Sequence, residues 1–246
     1  MKPYEIIHLV LAPFNPFYYM VRNDLKKITS GSKNNLKICD IGGRKSQYTI
    51  GINGNVTLID KPPNNQMQKD LNLGLNEIKI KTLEKNRSNI DSIIMHDMTK
   101  PLDKFSNYFD IVTLVEVFEH IELDKVDDVL NNIKTILKPN GILYMTQPNG
   151  DFVKNEPPDY NPDHKKHYKK IELKNILNNY FTNIKIHYAV KISKFHKNSQ
   201  RSWSIKNPIL LFITWVSAIV CLIESKGVEN NDQGTAHLVS FCQKEE

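Results

Sequence analysis

Six residues in two short stretches carry side chains able to move protons. Glu116, Glu119 and His120 lie in Glu116-Val117-Phe118-Glu119-His120-Ile121, and Asp163, His164 and His167 lie in Asn161-Pro162-Asp163-His164-Lys165-Lys166-His167-Tyr168. Imidazole titrates near neutral pH, so a site holding it beside carboxylates can act as a general acid or base. His120, His164 and His167 are the candidate catalytic residues. An interior structural role would explain His120 as well as catalysis does.

A second set suits a nucleoside-bearing ligand. Asp40-Ile41-Gly42-Gly43-Arg44 follows an apolar run, and two glycines let the backbone turn sharply and approach a ligand with no Cβ in the way. Twenty residues on, Asp60 can accept hydrogen bonds from the vicinal hydroxyls of a ribose. His96-Asp97-Met98 offers a carboxylate to an adenine amino group. Each feature is weak by itself, and together they are much stronger.

The elements that must position these residues alternate. Short apolar runs predict strands over Leu36 to Ile41, Val56 to Ile59, Ser92 to Met95, Phe109 to Val115, Ile142 to Thr146, Ile184 to Val190 and Ala236 to Cys242. Helical spacing predicts helices from about Leu123 to Leu137 and from Ile171 to Tyr180, the first stopped by Lys138-Pro139-Asn140-Gly141. Strands joined through helices imply an α/β fold, a mostly parallel sheet with helices on both faces, and ligands bind beyond the carboxyl ends of such strands. Residues 1–35 read as a leading helical cap region and 36–246 as the main domain, with a basic and apolar insertion at about 191–230.

Composition bounds the rest. A chain of 246 residues that is 40% hydrophobic and 24% charged is globular rather than disordered. Cys39, Cys221 and Cys242 lie far apart, which excludes a zinc ribbon or a disulfide framework and suits a reducing compartment such as the cytosol. The amino terminus is a poor secretory signal, so the expectation is a protein that is not exported. Net charge is +6, unevenly spread: Leu173 to Ile223 holds no Asp or Glu, yet Lys174, Lys185, Lys191, Lys194, Lys197, Arg201 and Lys206 fall inside. That run is either a solvated face or a surface for an anionic partner. Pro208 to Ile223 has no charge over sixteen residues, shorter than a bilayer span. It suits an interfacial membrane helix, an apolar dimer or lid helix, or plain core.

The motif order resembles the class I S-adenosylmethionine-dependent methyltransferases over roughly Leu36 to Asn149 and again at the last strand. Asp40-Ile41-Gly42-Gly43 is similar to that family's glycine-rich motif, Asp60 to its ribose-binding acid and Asp97 to its adenine-side acid. Phe109-Asp110-Ile111-Val112 leading to Glu116-Val117-Phe118-Glu119-His120-Ile121 resembles its fourth-strand signature, and Lys138-Pro139-Asn140-Gly141-Ile142-Leu143 the turn into its fifth strand. The resemblance implies a Rossmann-like, doubly wound, seven-stranded sheet with an apolar helix inserted before the last strand. It implies S-adenosyl-L-methionine as cofactor, held by Asp40, Gly42, Gly43, Arg44, Asp60, Asp97, Met98 and Glu116. Arg44 and Ser46 stand where the family has further glycines, and Arg44 can pair with the cofactor carboxylate. A NAD-dependent reading ranks low, because GxGxxG is incomplete and the Glu-x-x-Glu-His element has no place in it.

Methyl transfer needs acceptor, methyl and sulfur in line, and a hydroxyl acceptor must also lose its proton. Glu-x-x-Glu-His followed by a later His resembles two metal-using branches, the polyprenyl-quinol and the small-RNA 2′-O-methyltransferases. That resemblance makes Glu116, Glu119, His120 and His164 ligands for Mg²⁺ or Mn²⁺. The same element also occurs in members not known to use metal. Three readings follow: O-methylation of a small-molecule or saccharide acceptor, free or lipid-linked, on the inner face of a membrane; RNA methylation, with nucleic acid less favoured; and non-catalytic cofactor binding. A homodimer through the apolar helix stays open.

Overall fold

In this computed structural model the described residues are 1–11, 14–31, 35–43, 47–64, 66–70, 74–156, 160–191, 207–230 and 234–246. Seven strands form one sheet: β1 Lys37–Ile41, β2 Asn55–Asp60, β3 Ile90–Met95, β4 Phe109–Val115, β5 Leu137–Pro148, β6 Thr182–Lys191 and β7 Thr235–Gln243. Their spatial order is β3-β2-β1-β4-β5-β7-β6. The first five run parallel, and β7 lies antiparallel between β5 and β6. The chain reverses direction in sheet order at β1 and β4, which is where a ligand crevice is expected to open.

Alternation along the strands builds two cores. Cys39, Ile41, Val112 and Leu114 face one side, where they meet Val129, Leu130 and Ile133 of helix α5 (Val126–Ile136) and Leu173 and Leu177 of α6 (Lys170–Leu177). Ile38, Val56, Leu58 and Ile111 face the other, against Val21 and Leu25 of α2 (Pro16–Ser30). Each buried aliphatic side chain contributes on the order of 2 kcal/mol. The remaining helices are α1 Pro3–Leu11, α3 Gln66–Asp70, α4 Glu77–Asn86 and α7 Pro208–Glu224. Asn15 and Pro16 start α2 as Asn207 and Pro208 start α7: an Asn carboxamide accepts the first free amides, and Pro fills a position that needs no donor.

The expected leading helix is two helices, and α2 packs on the sheet. The Leu123 to Leu137 helix begins later: Leu123–Lys125 is a 3-10 turn, since Leu123 points to solvent and gains nothing by joining the buried stripe. β5 starts earlier than Ile142. Leu137 pairs with Phe109, Lys138 to Gly141 bulge out with Asn140 at φ 62°, and pairing resumes at Ile142 opposite Ile111. Lys138 Nζ, 2.6 Å from Asp110 Oδ1, ties the bulge down.

Candidate functional site

The carboxyl ends of β1 to β4 open into a cleft of about 400 Å³. Gly42, Asp60, Asp97 and Met98 line it together, with His96, Val117, His120 and Asp163. Gly42 has φ 71°, and a Cβ there would stand 2.5 Å from Val117 Cγ2. Both constraints select glycine. Gly43 is required by what lies beneath it, since its Cβ would meet Asp40 Cγ at 2.8 Å and Leu58 Cδ2 at 2.9 Å. Asp40 itself turns inward. Its buried carboxylate accepts from the Thr113 hydroxyl at 2.9 Å and the Thr49 hydroxyl at 3.2 Å, so it braces the turn from below. Asp97 accepts from the Thr99 amide at 3.0 Å. Burial works to raise the Asp97 carboxyl, and the Thr99 bonds with Lys61 and Lys100 outweigh it, holding it below its ordinary value. Arg44 and Ser46 lie outside the described residues, as do Lys194, Lys197, Arg201 and Lys206 of the basic run.

The loops after β4 and β5 meet. The Lys165 amide donates to the Glu119 carbonyl at 2.6 Å, which docks residues 160–168 onto the 3-10 turn Phe118–His120. Three imidazoles converge there, and their partners define the tautomers. His167 Nδ1 is 2.8 Å from the Val153 carbonyl, an acceptor only, so Nδ1 carries the proton. His167 Nε2 then accepts from His164 Nδ1 at 2.7 Å, which leaves His164 Nε2 with a free lone pair. His120 Nδ1 likewise faces the carbonyl of Asp163 at 3.1 Å and its carboxylate at 3.3 Å, so Nδ1 is the donor and Nε2, 4.0 Å from Glu119 Oε1, is the lone-pair atom of the neutral ring. Burial and the flanking His120 and His167 push His164 down to about 4. It is neutral at working pH.

Glu119 is 1% exposed, and its Oε2 has no hydrogen-bond partner among the described residues. Burial first, then the charge of Glu116, raises its carboxyl well above the usual range. Glu119, His120 and His164 each offer a ligand atom within 4.8 Å of the others, a spacing that could hold a metal ion. Glu116 is engaged elsewhere. At φ 52° it sits in the left-handed region, a strain of about 1 to 3 kcal/mol, and its Oε1 accepts from the Thr146 hydroxyl at 3.0 Å and His237 Nδ1 at 3.2 Å.

A profile described as "Methyltransferase domain" matches residues 21–191, more than half of the chain. The chain belongs to the class I S-adenosylmethionine-dependent methyltransferases. Solved structures agree on the fold. A SAM-dependent methyltransferase from Archaeoglobus fulgidus is 17% identical with a TM-score of 0.56, the match covering 92% of this chain and 94% of that one. Phosphoethanolamine N-methyltransferase 2 from Haemonchus contortus, in complex with phosphomonomethylethanolamine and S-adenosylhomocysteine, is 16% identical with a TM-score of 0.59, over 91% of this chain and 52% of that one. The N-methyltransferase NodS from Bradyrhizobium japonicum is 12% identical with a TM-score of 0.54, over 94% and 98%. A comparison with curated proteins finds no match.

Sequence reasoning missed the residues that pack around Glu116. His237 comes from β7, and its ring stacks on Phe17 of α2 with centroids 4.0 Å apart. Tyr48 packs edge-on to Phe17, and burial pushes its phenol up. α2 also clamps the turn that follows the glycine loop: the Tyr18 hydroxyl donates to the Gln47 carbonyl at 2.8 Å, and the buried Arg22 guanidinium donates to the Ile50 carbonyl. The available signal was the aromatic cluster Phe17, Tyr18 and Tyr19 in the leading helical region, which suits a cap over the active site but more commonly means packing against the sheet.

Proposed function

We propose that this methyltransferase transfers the methyl group of S-adenosyl-L-methionine to a hydroxyl of a small-molecule or saccharide acceptor. The acceptor oxygen attacks the methyl carbon as its proton passes to an imidazole of the His120 and His164 pair, the C–S bond breaks with its electron pair going to sulfur, and S-adenosylhomocysteine leaves. Gly42 gives the cofactor close backbone approach, Asp60 accepts from its ribose, and Asp97 with Met98 holds the adenine side. The observation that carries the oxygen reading is the cluster of Glu119, His120 and His164 beside the cleft, with two imidazole Nε2 lone pairs and a buried, unpartnered carboxylate oxygen. An amine acceptor needs only to be neutral, whereas a hydroxyl needs its proton taken or its pKa lowered. Two of the structural neighbours are N-methyltransferases, but identities of 16% and 12% speak to fold alone.

The donor set fits a divalent cation. Two imidazoles and one carboxylate suit Mn²⁺ better than the oxygen-seeking Mg²⁺. When bound, such an ion lowers the pKa of a hydroxyl and favours acceptors with a vicinal pair. His167 is a positioning residue: through Val153 it sets the tautomer of His164.

The test has two arms. Titration calorimetry with S-adenosylhomocysteine should show binding that weakens about tenfold or more in Asp60→Asn, the loss of one charge-assisted contact. Labelled methyl transfer to diol-bearing saccharides should be abolished by EDTA and restored by Mn²⁺. Cofactor binding with transfer unaffected by EDTA would overturn the cation, and a preference for amine acceptors would overturn the oxygen reading.

A further inference from the structure

Helix α7 is packed inside out. Its buried stripe is Thr214, Ser217, Ala218 and Cys221, all small, and it rests against α2 and β6. The polar atoms of that stripe are satisfied close by: Thr214 Oγ1 donates to the Leu210 carbonyl at 2.9 Å, Ser217 Oγ to the Thr214 carbonyl at 2.8 Å and Cys221 Sγ to the Lys191 carbonyl at 2.8 Å. The large apolar side chains point out. Ile209 is 69% and Phe212 61% exposed, and Trp215, Ile219 and Ile223 continue the same face down the helix. The opposite orientation would bury far more apolar surface, so the observed one leaves a contiguous patch of the kind that marks an interaction site.

Charge says what covers it. The chain from Leu173 to Ile223 carries seven Lys or Arg and no acid; Glu172 precedes the stretch, and Glu224 and Glu229 come at or after the end of the helix. A second copy of the chain docked face to face would bring together two molecules that each carry a net charge of +6. An anionic surface gains from the same charges. Seventeen helical residues span about 25 Å, and no described helix is long and apolar enough to cross a membrane. The geometry therefore suits a helix lying along an interface, with aromatic Trp215 and Phe212 at headgroup depth.

We infer that α7 seats its Ile209, Phe212, Trp215, Ile219 and Ile223 face in the headgroup region of an anionic lipid bilayer. This holds whichever acceptor the cleft takes, because it draws on no residue of the cleft. It brings the methyltransferase to acceptors presented at a membrane.

The test is flotation of the full chain with vesicles of phosphatidylcholine alone and of phosphatidylcholine mixed with phosphatidylglycerol. Binding to the mixed vesicles should exceed binding to the neutral ones by about tenfold or more and should fall as salt rises. Phe212→Ser with Trp215→Ser replaces two exposed side chains and should abolish flotation, while far-UV circular dichroism and S-adenosylhomocysteine affinity stay as in the parent. Failure of the parent chain to float with mixed vesicles would overturn the inference, and so would flotation undiminished in the double variant. A dimer seen by light scattering that the same substitutions dissociate, without flotation of the parent, would give the face to a second copy and overturn it equally. Loss of cofactor affinity in the parent would instead count against the methyltransferase site, which is measured separately.

Discussion

His237 Nδ1 lies 3.2 Å from Glu116 Oε1, joining residues 121 positions apart. The contact ties the end of β4 to β7, and Thr146 of β5 completes it. Burial works to raise the Glu116 carboxyl, and His237 and Thr146 more than offset that, holding it below its ordinary value. His237→Ala leaves the carboxylate on Thr146 alone and should destabilise the fold by about 1 to 3 kcal/mol at neutral pH, read by urea titration. A depressed carboxyl contributes stability above the unfolded pKa that is lost as pH falls through the folded value. The gap between parent and variant should therefore close in acid. His237→Gln, which restores a donor, should recover part of it.

Glu119 behaves oppositely. Its carboxyl is raised, so its share of stability is present below the ordinary glutamate pKa and is lost as pH rises toward the folded value. In EDTA-treated protein, Glu119→Gln should melt at a higher temperature than the parent at neutral pH, and the two should converge near pH 4. Mn²⁺ should raise the melting temperature of the parent and leave the variant unmoved. Equal melting of the two proteins at every pH would show that Glu119 is not held in its neutral form.

His164, pushed down to about 4, stays neutral through the physiological range. A depressed imidazole gives stability that is present above the unfolded value and fades as pH drops from about 6.5 toward 4. The thermal midpoint should fall across that window, and His164→Asn should flatten the slope. Activity should show no acid limb from this residue between pH 8 and 5.

Gly42→Ala should weaken S-adenosylhomocysteine binding by about tenfold or more in calorimetry, through backbone strain at φ 71° and the clash with Val117. Val117→Ala in the same chain should restore part of the affinity by removing the clash and none of the strain. Full restoration would mean that the positive φ is immaterial.

The strands were legible because each is a short apolar run with a turn residue at its end: β4 appears with the bounds its sequence predicts, and β1, β2 and β3 differ by one or two residues. Gly42, Asp60 and Asp97 were legible for a related reason. Each ends a strand or follows one within two residues, so local pattern fixes its place at the carboxyl ends of the strands. Asp40 sits inside that pattern but on the inward face, and alternation along β1 puts it under the glycines, braced by Thr113 of the neighbouring strand. His237 was illegible because nothing near it in the chain signals Glu116; only the antiparallel register of β7 against β5 brings them together. The inverted face of α7 was hidden too. Sixteen uncharged residues define no polar side, so periodicity cannot tell which stripe turns inward.

The placement of β7 shapes how the molecule assembles. It follows both β5 and β6 in the chain yet occupies the slot between them, so neither strand has its native partner on that side until β7 is made. Closing that gap pairs Thr146 with Val239 and His187 with the same Val239, contacts of long sequence separation whose loop-closure entropy makes them slow to form. Until the gap closes, the bare borders invite pairing with another chain.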